Sequence, residues 1–538
     1  MAAVYPSDVV IEADLGAGFV ELADVLASPI DISRGIQGSG QRDRVASTGT
    51  MTFQLDNSAN NSAGLLGLYS PHNSNVLAGW ELGVEVRCVV TYDGSDLTVF
   101  RGTVAAISPV AGQYGSRRVH VACVDWMDEA AQARLSGIAV QIEKRSDQVL
   151  ATMVAAVDKQ PFATDIGAGG DLYAYSLDNA PGERINLMSE FQRLMQTELG
   201  YLFVLRDGTL KFQSRFRRPS ITTLSETLTG ADIRSIETSR GREEIINKVQ
   251  VQIHPRRVDT AAVVLFTLGS APELLRSTSI ELRAPYRDPL ARATRAGGID
   301  MVTPVVTTDY TGNTLADGSG VDISGQLSVS ASFGGNEGTV TVTNNGPHDG
   351  FLTKLQLRGK GVYAYESVIG TNESAASIAK YGEREMALDM PYQGDIEIAN
   401  EAARYLVGQS KTVLTPVTGV AFSANYVGRL MDAALEIDIG ERVRVTETVI
   451  GTAEIIPVGE SEGVEALDFF VQSVNLSIEA GRYINCSWGL APADPYNYWI
   501  LEVAGYTELN ETTRLGYGLF VTGWILGESA LDSTTILD

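Results

Sequence analysis

Alternation of apolar and polar residues dominates the first quarter of the chain. In residues 50–56 the side chains of Met51, Phe53 and Leu55 alternate with polar ones, and this period of two predicts a half-buried strand. The sequence Asp93-Gly94 predicts a hairpin turn, because such a pair readily adopts positive φ. Closely spaced short strands with turns between them indicate a barrel or a sandwich. The predicted strands are 8–13, 30–33, 50–56, 82–91, 97–107 and 117–125.

Helical spacing of apolar residues replaces the alternation after Trp126. A short helix is predicted at 127–135, and a second at 147–159 with Ser146 as its N-cap. A third helix is predicted at 183–199, ended by Gly200. With the hairpin that follows it, this pattern predicts a small α/β domain over residues 136–235.

The rest of the chain is predicted to be mostly strand, with one helical segment. Residues 246–253 alternate as a strand, and a Gly/Ser/Thr-rich stretch predicts a β insertion at 301–362. A helical segment is predicted at 363–415, including a helix at 396–409. Strands are predicted again from 417 to about 490, including 434–446 and 469–478. The fold class is therefore mainly β with α+β parts, in several domains.

A short repeat occupies the end of the sequence. Trp499-Ile500-Leu501 is followed by L-N-x-T-T-x-L, and Trp524-Ile525-Leu526 by L-D-x-T-T-x-L. The repeat predicts that residues 496–538 form a docking tail that adds strands to a neighbouring protein. Two ordinary β-hairpins of the parent domain remain the alternative.

Charge narrows the range of functions. The chain of 538 residues has 41 basic and 66 acidic residues, a formal net charge of -25 and a pI near 4.6. Such a surface repels phosphates and argues against nucleic-acid binding. The length predicts several domains. The amino terminus lacks the pattern of a secretion signal and no apolar run has the length of a membrane span, so we expect a soluble protein made in a cytoplasm.

The sequence contains little that predicts catalysis or metal binding. Cys88, Cys123 and Cys486 are expected to be buried free thiols, and the four histidines are scattered, so no metal or cofactor is predicted. No nucleophile elbow, P-loop or zinc-protease motif occurs. Carboxylate pairs such as Asp128 with Glu129, or Glu243 with Glu244, are sequence neighbours that would point to opposite faces of a strand. We therefore predict a protein that is not an enzyme.

A loop rich in arginine interrupts the strands of residues 30–57. Arg34, Arg42 and Arg44 lie there with Asp31 and Asp43 as the acidic residues. A local basic patch on an acidic protein suggests an acidic partner. The alternative is a hairpin loop whose arginines are simply solvated.

A series of short motifs follows a recognisable order along the chain. It resembles the minor tail proteins of long-tailed bacteriophages, which are baseplate-hub or tail-tip-hub proteins. Gly440-Glu441 departs from that family's frequent Gly-Asp pair, and no appended peptidase or lysozyme domain is seen. The motifs are I-D-I-S-R-G at 30–35, G-T-M-T-F-Q-L-D-N at 49–57, F-R-G-T-V at 100–104, V-D-W-M-D at 124–128, L-F-V-L-R-D-G-T-L at 202–210, I-I-N-K-V at 245–249, S-I-A-K-Y-G-E-R at 377–384, I-G-E-R-V-R-V at 439–445 and T-T-R-L-G-Y at 512–517.

The resemblance implies a structural virion protein, assembled in the host bacterial cytoplasm and located at the tail tip. It implies a homotrimer with two hub-type β-barrels per chain, the first at 1–135 and the second built from 236–300 with 416–495. The six barrels would face the hexameric ring of the distal tail protein. Receptor-binding or fibre proteins would attach below, and the tape-measure protein would end in the lumen through which DNA passes without specific binding.

Several hypotheses follow from this resemblance. Arg34, Arg42 and Arg44 would bridge to carboxylates of an adjacent chain or of the distal ring, with Trp499 and Trp524 in the docking tail. Acidic residues would be enriched on the channel wall. The alternatives are a free-standing β adhesin, and a carbohydrate-binding or depolymerising tail spike whose tryptophans line a sugar groove. Those tryptophans are Trp80, Trp126, Trp488, Trp499 and Trp524.

Overall fold

The chain folds into a mainly β protein with several sheets and four separate hydrophobic cores. This confirms the predicted fold class. The computed structural model describes residues 3–38, 40, 42–113, 115–135, 138–177, 185–221, 223–238, 245–411, 417–446 and 468–493, and the backbone of the strands at 453–458, 461–466, 497–498 and 513–514.

The first half of the chain holds sixteen strands and three helices in the described residues. In chain order they are β1 (Asp8–Asp14), β2 (Phe19–Glu21), β3 (Ile30–Gly35), β4 (Ser47–Asp56), β5 (Glu85–Tyr92), β6 (Ser95–Pro109), β7 (Arg118–Val124), α1 (Trp126–Gln132), β8 (Arg134–Leu135), β9 (Gln141–Arg145), α2 (Ser146–Ala155), β10 (Ala163–Ile166), β11 (Leu172–Ser176), β12 (Ile185–Asn186), α3 (Leu187–Glu198), β13 (Tyr201–Val204), β14 (Thr209–Gln213), β15 (Glu226–Thr229) and β16 (Ile233–Thr238).

The second half continues with strands and three further helices. They are β17 (Lys248–Ile253), β18 (Arg256–Val258), β19 (Val263–Thr267), β20 (Glu273–Leu274), β21 (Ser279–Pro285), β22 (Arg295–Val302), β23 (Tyr310–Asn313), β24 (Leu327–Phe333), β25 (Glu337–Asn344), β26 (Gly350–Ala364), β27 (Val368–Glu373), α4 (Ala375–Tyr381), β28 (Glu385–Met390), α5 (Ile396–Ser410), β29 (Val417–Ser423), α6 (Gly428–Glu436), β30 (Arg442–Thr446), β31 (Ala453–Val458), β32 (Ser461–Ala466), β33 (Asp468–Glu479), β34 (Tyr483–Pro492), β35 (Asn497–Tyr498) and β36 (Thr513–Arg514).

Strands β1 to β7 form a first β unit in the order β3-β4-β7-β6-β5-β1-β2. The alternation read from the sequence of β4 is confirmed, because Met51, Phe53 and Leu55 are buried and the residues between them are less so. The hairpin between β5 and β6 turns at Asp93 and Gly94, which both have positive φ (45° and 77°). Such a turn matches the right-handed twist of the flanking strands.

Helices α1, α2 and α3 pack with the hairpin β13–β14 around a second core. Two sequence-based details are wrong. Ser146 begins α2 but does not cap it, because its hydroxyl donates to Glu198 Oε2 at 2.8 Å instead. Helix α3 ends at Glu198, and the left-handed residue that terminates it is Leu199, with a φ of 57°, and not Gly200. Gly200 is needed for space, since a Cβ there would lie 2.7 Å from the carbonyl oxygen of Gln213.

A second β unit contains β15, β16, β29, β30, β33 and β34, with helix α6 packed against β29. The sequence predicted a strand at 434–446, but residues up to Glu436 belong to α6 and the strand begins at Arg442. Leu430, Met431 and Leu435 bury one face of that helix, and their helical spacing prevails over the strand prediction.

The resemblance assigned residues 236–300 to the second barrel, and the described strands of that range after residue 247 pair with strands of other sheets. Strand β17 lies between β27 and β28 in a small sheet covered by α5. Strands β18, β19, β20, β22 and β23 all pair with the long strand β26, and β21 joins β25 and β24. The strands between residues 256 and 364 therefore pair among themselves in these two sheets, and the bounds of the insertion predicted at 301–362 stay a prediction. The distant partner β26 is not apparent from any local pattern.

A single thirteen-stranded sheet runs through both β units. Strand β3 makes this connection, since it pairs with β4 on one side and antiparallel with β33 on the other. The two units also share one continuous hydrophobic core. Strands β1 to β7 and the described strands of the second β unit are thus built as one body.

The predicted docking tail lies almost wholly outside the described residues. Only the backbone of β35 and β36 is described there, and these two strands pair with each other. Trp499, Trp524, Glu243 and Glu244 are not among the described residues. No helix in the described part of the chain has the length and apolar character needed to cross a membrane.

Candidate assembly site at the junction of the two β units

The three arginines singled out in the sequence occupy different environments. Arg34, in β3, is 4% exposed and its Nη1 donates to Asp438 Oδ1. Arg44 is also buried, and its Nη1 donates to the carbonyl oxygen of Leu199 at 2.6 Å. Arg42 is exposed, and its Nη2 donates to the carbonyl oxygen of Ala387 in β28. The alternative of simply solvated arginines is therefore wrong for Arg34 and Arg44.

The intersubunit role of these arginines stays a prediction. The contacts described here are all within one chain, and they occupy the guanidinium groups of Arg34 and Arg44. Arg42 alone of the three has an exposed side chain that a neighbouring molecule could reach.

Asp438 is the point at which three units meet. Its carboxylate accepts from Arg34 of the first β unit, and Oδ2 accepts from the backbone N–H of Arg206 in the α/β unit at 3.0 Å. The Arg206 guanidinium donates to the carbonyl oxygen of Leu435 in the second β unit. Removing one partner of an ion pair buried in this way lowers the free energy of unfolding by about 3–5 kcal/mol.

A second carboxylate lies close to this pair. Asp125 caps α1, and its Oδ1 accepts from the backbone N–H of Met127 at 3.0 Å. Burial raises the pKa of Asp125 to about 6, although backbone hydrogen bonds from Gly49 and Met127 and the charge of Arg34 oppose that rise. The junction therefore contains one carboxyl that titrates nearer to neutrality than an exposed aspartate does.

Tyr201 forms a clamp with two buried arginines. The guanidinium carbon of Arg218 lies 3.4 Å from the centroid of the Tyr201 ring, and that of Arg44 lies 5.0 Å from it. Arg218 also donates to Gln472 Oε1 of β33 at 3.1 Å. Burial alone would raise the pKa of the phenol, but the charges and hydrogen bonds of Arg44 and Arg218 lower it overall.

Sequence reasoning missed this clamp. Arg218 stands in the sequence Arg217-Arg218-Pro219, which gives no local sign that its side chain is buried. Burial lowers the pKa of its guanidinium to about 10, and the nearby Tyr201 hydroxyl opposes this. A buried arginine needs an aromatic or acidic partner, and nothing in the local sequence identified Tyr201 as that partner.

The buried carboxylate of Glu198 is the strongest candidate for a catalytic group, yet it has structural partners. Glu198 accepts from Ser146 Oγ at 2.8 Å and from the Tyr173 hydroxyl at 3.1 Å. Burial raises the pKa of Glu198, and the charge of Arg215 acts in the opposite direction. Glu198 is 0% exposed, so a substrate has no route to it. These hydrogen bonds connect α3 to helix α2 and to strand β11.

The tryptophans proposed to line a sugar groove do not do so in the described residues. Trp80, Trp126 and Trp488 are buried in hydrophobic cores. Trp499 and Trp524 lie outside the described part. Asp128 and Glu129 are successive residues in the first turn of α1. Among the described residues there is no group of three or more side chains that could hold a metal ion.

An open groove of about 410 Å³ crosses the sheet where β3 meets β33. Its polar side chains are mostly hydroxyls and amides, with Asp31 and Arg234 as the charged residues. The Asp31 carboxylate accepts from Ser477 at 2.7 Å, and Arg234 donates to Asn485 at 3.4 Å. The other polar lining residues are Ser33, Thr50, Thr52, Asn475 and Ser487.

Comparison with solved structures finds phage tail proteins. The chain is similar to the 43 kDa tail protein of prophage MuSo2 from Shewanella oneidensis, with 10% identity, a TM-score of 0.43, and coverage of 91% of this chain and 100% of that one. A tail protein from Neisseria meningitidis MC58 has 8% identity and a TM-score of 0.45, with 90% and 97% covered. Prophage tail protein gp18 from Listeria monocytogenes EGD-e has 8% identity and a TM-score of 0.39, with 90% and 94% covered. No family model and no curated protein matches the chain.

Proposed function

We propose that this chain is a structural hub protein at the tip of a bacteriophage tail. The proposal rests on the positions of two motifs by which the chain resembles hub proteins. I-D-I-S-R-G is strand β3, which joins the two β units, and I-G-E-R-V-R-V begins next to Asp438 and continues into β30. Two of the motifs by which the chain resembles hub proteins thus lie where its β units are connected. Such placement supports an architectural role.

The sheet topology supports a trimer. Each chain contributes two β units to one sheet, so three chains would supply six units to a hexameric distal tail ring. The ends of the described strand path are β16 and β2, and each has one edge without a strand partner among the described residues. Unpaired edges are sites at which another chain can continue a sheet.

The polar face of the shared sheet is suited to line a channel for DNA. Hydroxyl and amide groups attract phosphates weakly, because they release no counterions on contact. The groove on this face carries one acidic and one basic side chain, each hydrogen-bonded within the chain. If this face lines the channel, the wall at this position is neutral, and the hypothesis of an acidic wall gains no support there.

The remaining partners belong to the same proposal. The distal tail ring would bind above the hub, receptor-binding or fibre proteins below it, and the tape-measure protein in the lumen. Residues 496–538, with Trp499 and Trp524, would dock onto one of these neighbours. The protein would reach the virion tail tip after assembly in the bacterial cytoplasm.

Light scattering combined with negative-stain imaging tests the proposal. We expect a particle with three times the 57.6 kDa mass of the chain and a central hole. A monomer at all concentrations, or a closed trimer without a channel, would contradict the hub. Binding to purified distal tail protein, measured by co-sedimentation, would then identify the ring-facing side.

A further inference from the structure

An exposed arginine loop projects from the insertion between β21 and β22. Exposure alternates strictly along this stretch, with Ala284, Tyr286 and Asp288 buried and the residues between them exposed. Arg283 and Arg287 therefore point to the same side. Arg292 is exposed on the return of the loop. We call Arg283, Arg287 and Arg292, together with Leu290, the arginine loop.

Asp288 holds this loop in one conformation. Its carboxylate accepts from the backbone N–H groups of Leu290 at 2.9 Å, Arg292 at 2.9 Å and Ala293 at 3.0 Å. Desolvation would raise the pKa of this carboxyl, but the backbone hydrogen bonds hold it below its ordinary value. A loop that is already ordered loses little entropy when it binds a partner.

The same hydrogen bonds favour one class of partner. Backbone N–H groups at a turn are the usual cradle for a phosphate, and here Asp288 already occupies three of them. Leu290 is 57% exposed between the arginines. An apolar side chain surrounded by arginines is typical of a protein interface. The loop therefore fits a protein surface that bears carboxylates.

The arginines are available for such a contact. Within the described part of the chain, no acidic side chain lies at ion-pair distance from Arg283, Arg287 or Arg292, whereas Arg257 pairs with Asp259 and Lys360 with Asp300. The chain as a whole carries a net charge of -25, so a second copy presents a predominantly acidic surface.

One acidic surface of the chain is complementary to the arginine loop. Asp93, in the β5–β6 turn, and Asp432 and Glu436, in α6, are exposed and have no cation at ion-pair distance in the described residues. Desolvation raises the pKa of Asp432, and the like charges of Glu436, Asp93 and Glu226 act in the same direction. Tyr426, which precedes α6, is 51% exposed. We call Asp93, Asp432 and Glu436 the acidic patch.

We propose that the arginine loop of one copy binds the acidic patch of the next copy. The two surfaces differ, so the contact is head-to-tail and closes into a ring when the rotation between copies is one third of a turn. It offsets the repulsion between acidic chains and supplies carboxylates to arginines that lack them. This inference rests on the homotrimer of the proposed function.

Charge reversal followed by charge exchange tests the contact. The first variant is Arg287→Glu with Arg292→Glu, and the second is Asp432→Arg with Glu436→Arg. Sedimentation velocity of the full chain at low and high salt measures association. We expect each variant to weaken trimer formation at least tenfold at low salt, and the combination of all four substitutions to restore it.

The control is Arg276→Glu, which reverses one exposed arginine just before the other end of β21, and we expect it to leave the association unchanged; the single variant Arg287→Glu, with the same charge change, should weaken it. A trimer that survives the arginine reversal overturns this inference and leaves the hub intact. A wild-type monomer overturns the trimer itself. Loss of the trimer without rescue by the exchange shows that the acidic patch is not the surface bound.

Discussion

At the scale of single residues, Arg34 and Asp438 show how far apart the members of a buried pair can be. They are separated by 404 positions in the sequence and meet in the interior between the two β units. The sequence identified Arg34 as notable but assigned it to solvent or to an adjacent chain. Its partner, Asp438, comes within reach only when β3 pairs with β33 in the folded chain. The free energy of the pair therefore depends on the tertiary fold.

Removing the guanidinium should destabilise the protein strongly. Arg34→Met leaves the carboxylate of Asp438 buried without its cation, and we expect the free energy of unfolding to fall by about 3 kcal/mol. Arg42→Met, at an exposed site of the same loop, should change it by less than about 0.5 kcal/mol. Urea unfolding of both variants measures the difference. Equal effects would show that the buried pair contributes nothing specific.

Asp125 should make the protein less stable as the pH rises, whereas a salt-bridged aspartate makes a protein more stable as the pH rises. Its folded-state pKa of about 6 lies above the ordinary value of 3.8, so the stability it contributes is present below pH 4 and is lost as the pH rises through 6. Asp125→Asn keeps an N-cap acceptor and removes this titration. Between pH 4 and pH 7 we expect the free energy of unfolding of the variant to rise, relative to that of the wild type, by on the order of 2 kcal/mol. Urea unfolding at each pH measures this, and parallel pH profiles of the free energy of unfolding would contradict the raised pKa of Asp125.

At the scale of elements, local periodicity predicted the strands and helices well and their partners poorly. The strands near residues 8, 50 and 118 and the helix α5 were predicted close to their observed limits, because each has a clear period of two or of 3.6. Strand β21 also alternates clearly, yet its assignment to the second β unit differs from the structure. Pairing between distant strands is set by shared cores and by register, and a single sequence does not display either.

Gly35 should be essential to the contact between β3 and β33. Its φ is +115°, and a Cβ there would lie 2.4 Å from the carbonyl oxygen of Gln472. Gly16 has a similar φ of +102° but open space around it. Gly16→Ala should therefore cost only the backbone strain, on the order of 1–2 kcal/mol. Gly35→Ala adds a backbone collision, and we expect about 2 kcal/mol more. Thermal unfolding of the pair separates strain from collision, and equal melting temperatures would mean that β33 moves aside freely.

At the scale of the whole molecule, the shared sheet gives the assembly a rigid unit. The two β units cannot move apart without breaking both the β3–β33 ladder and a common core. The order of motifs in the sequence predicted a hub, and two of those motifs, at 30–35 and 439–445, lie where the two β units are joined. The proposed channel, ring contacts and docking tail would each involve other chains, so the structure of one chain does not display them.

Deleting residues 499–538 should separate folding from assembly. The four hydrophobic cores consist of residues that precede this segment, and β35 pairs only with β36 among the described strands. We therefore expect the truncated chain to keep its melting temperature and its trimeric mass, whereas tails assembled with it should lack the proteins bound below the hub. Electron microscopy of tails made with the truncated chain measures this outcome, and Trp499→Ala with Trp524→Ala in the full chain provides the matched variant. Normal tails in both cases would show that the repeated segment is dispensable, and loss of the trimer would mean that it belongs to the hub and not to the docking of a neighbour.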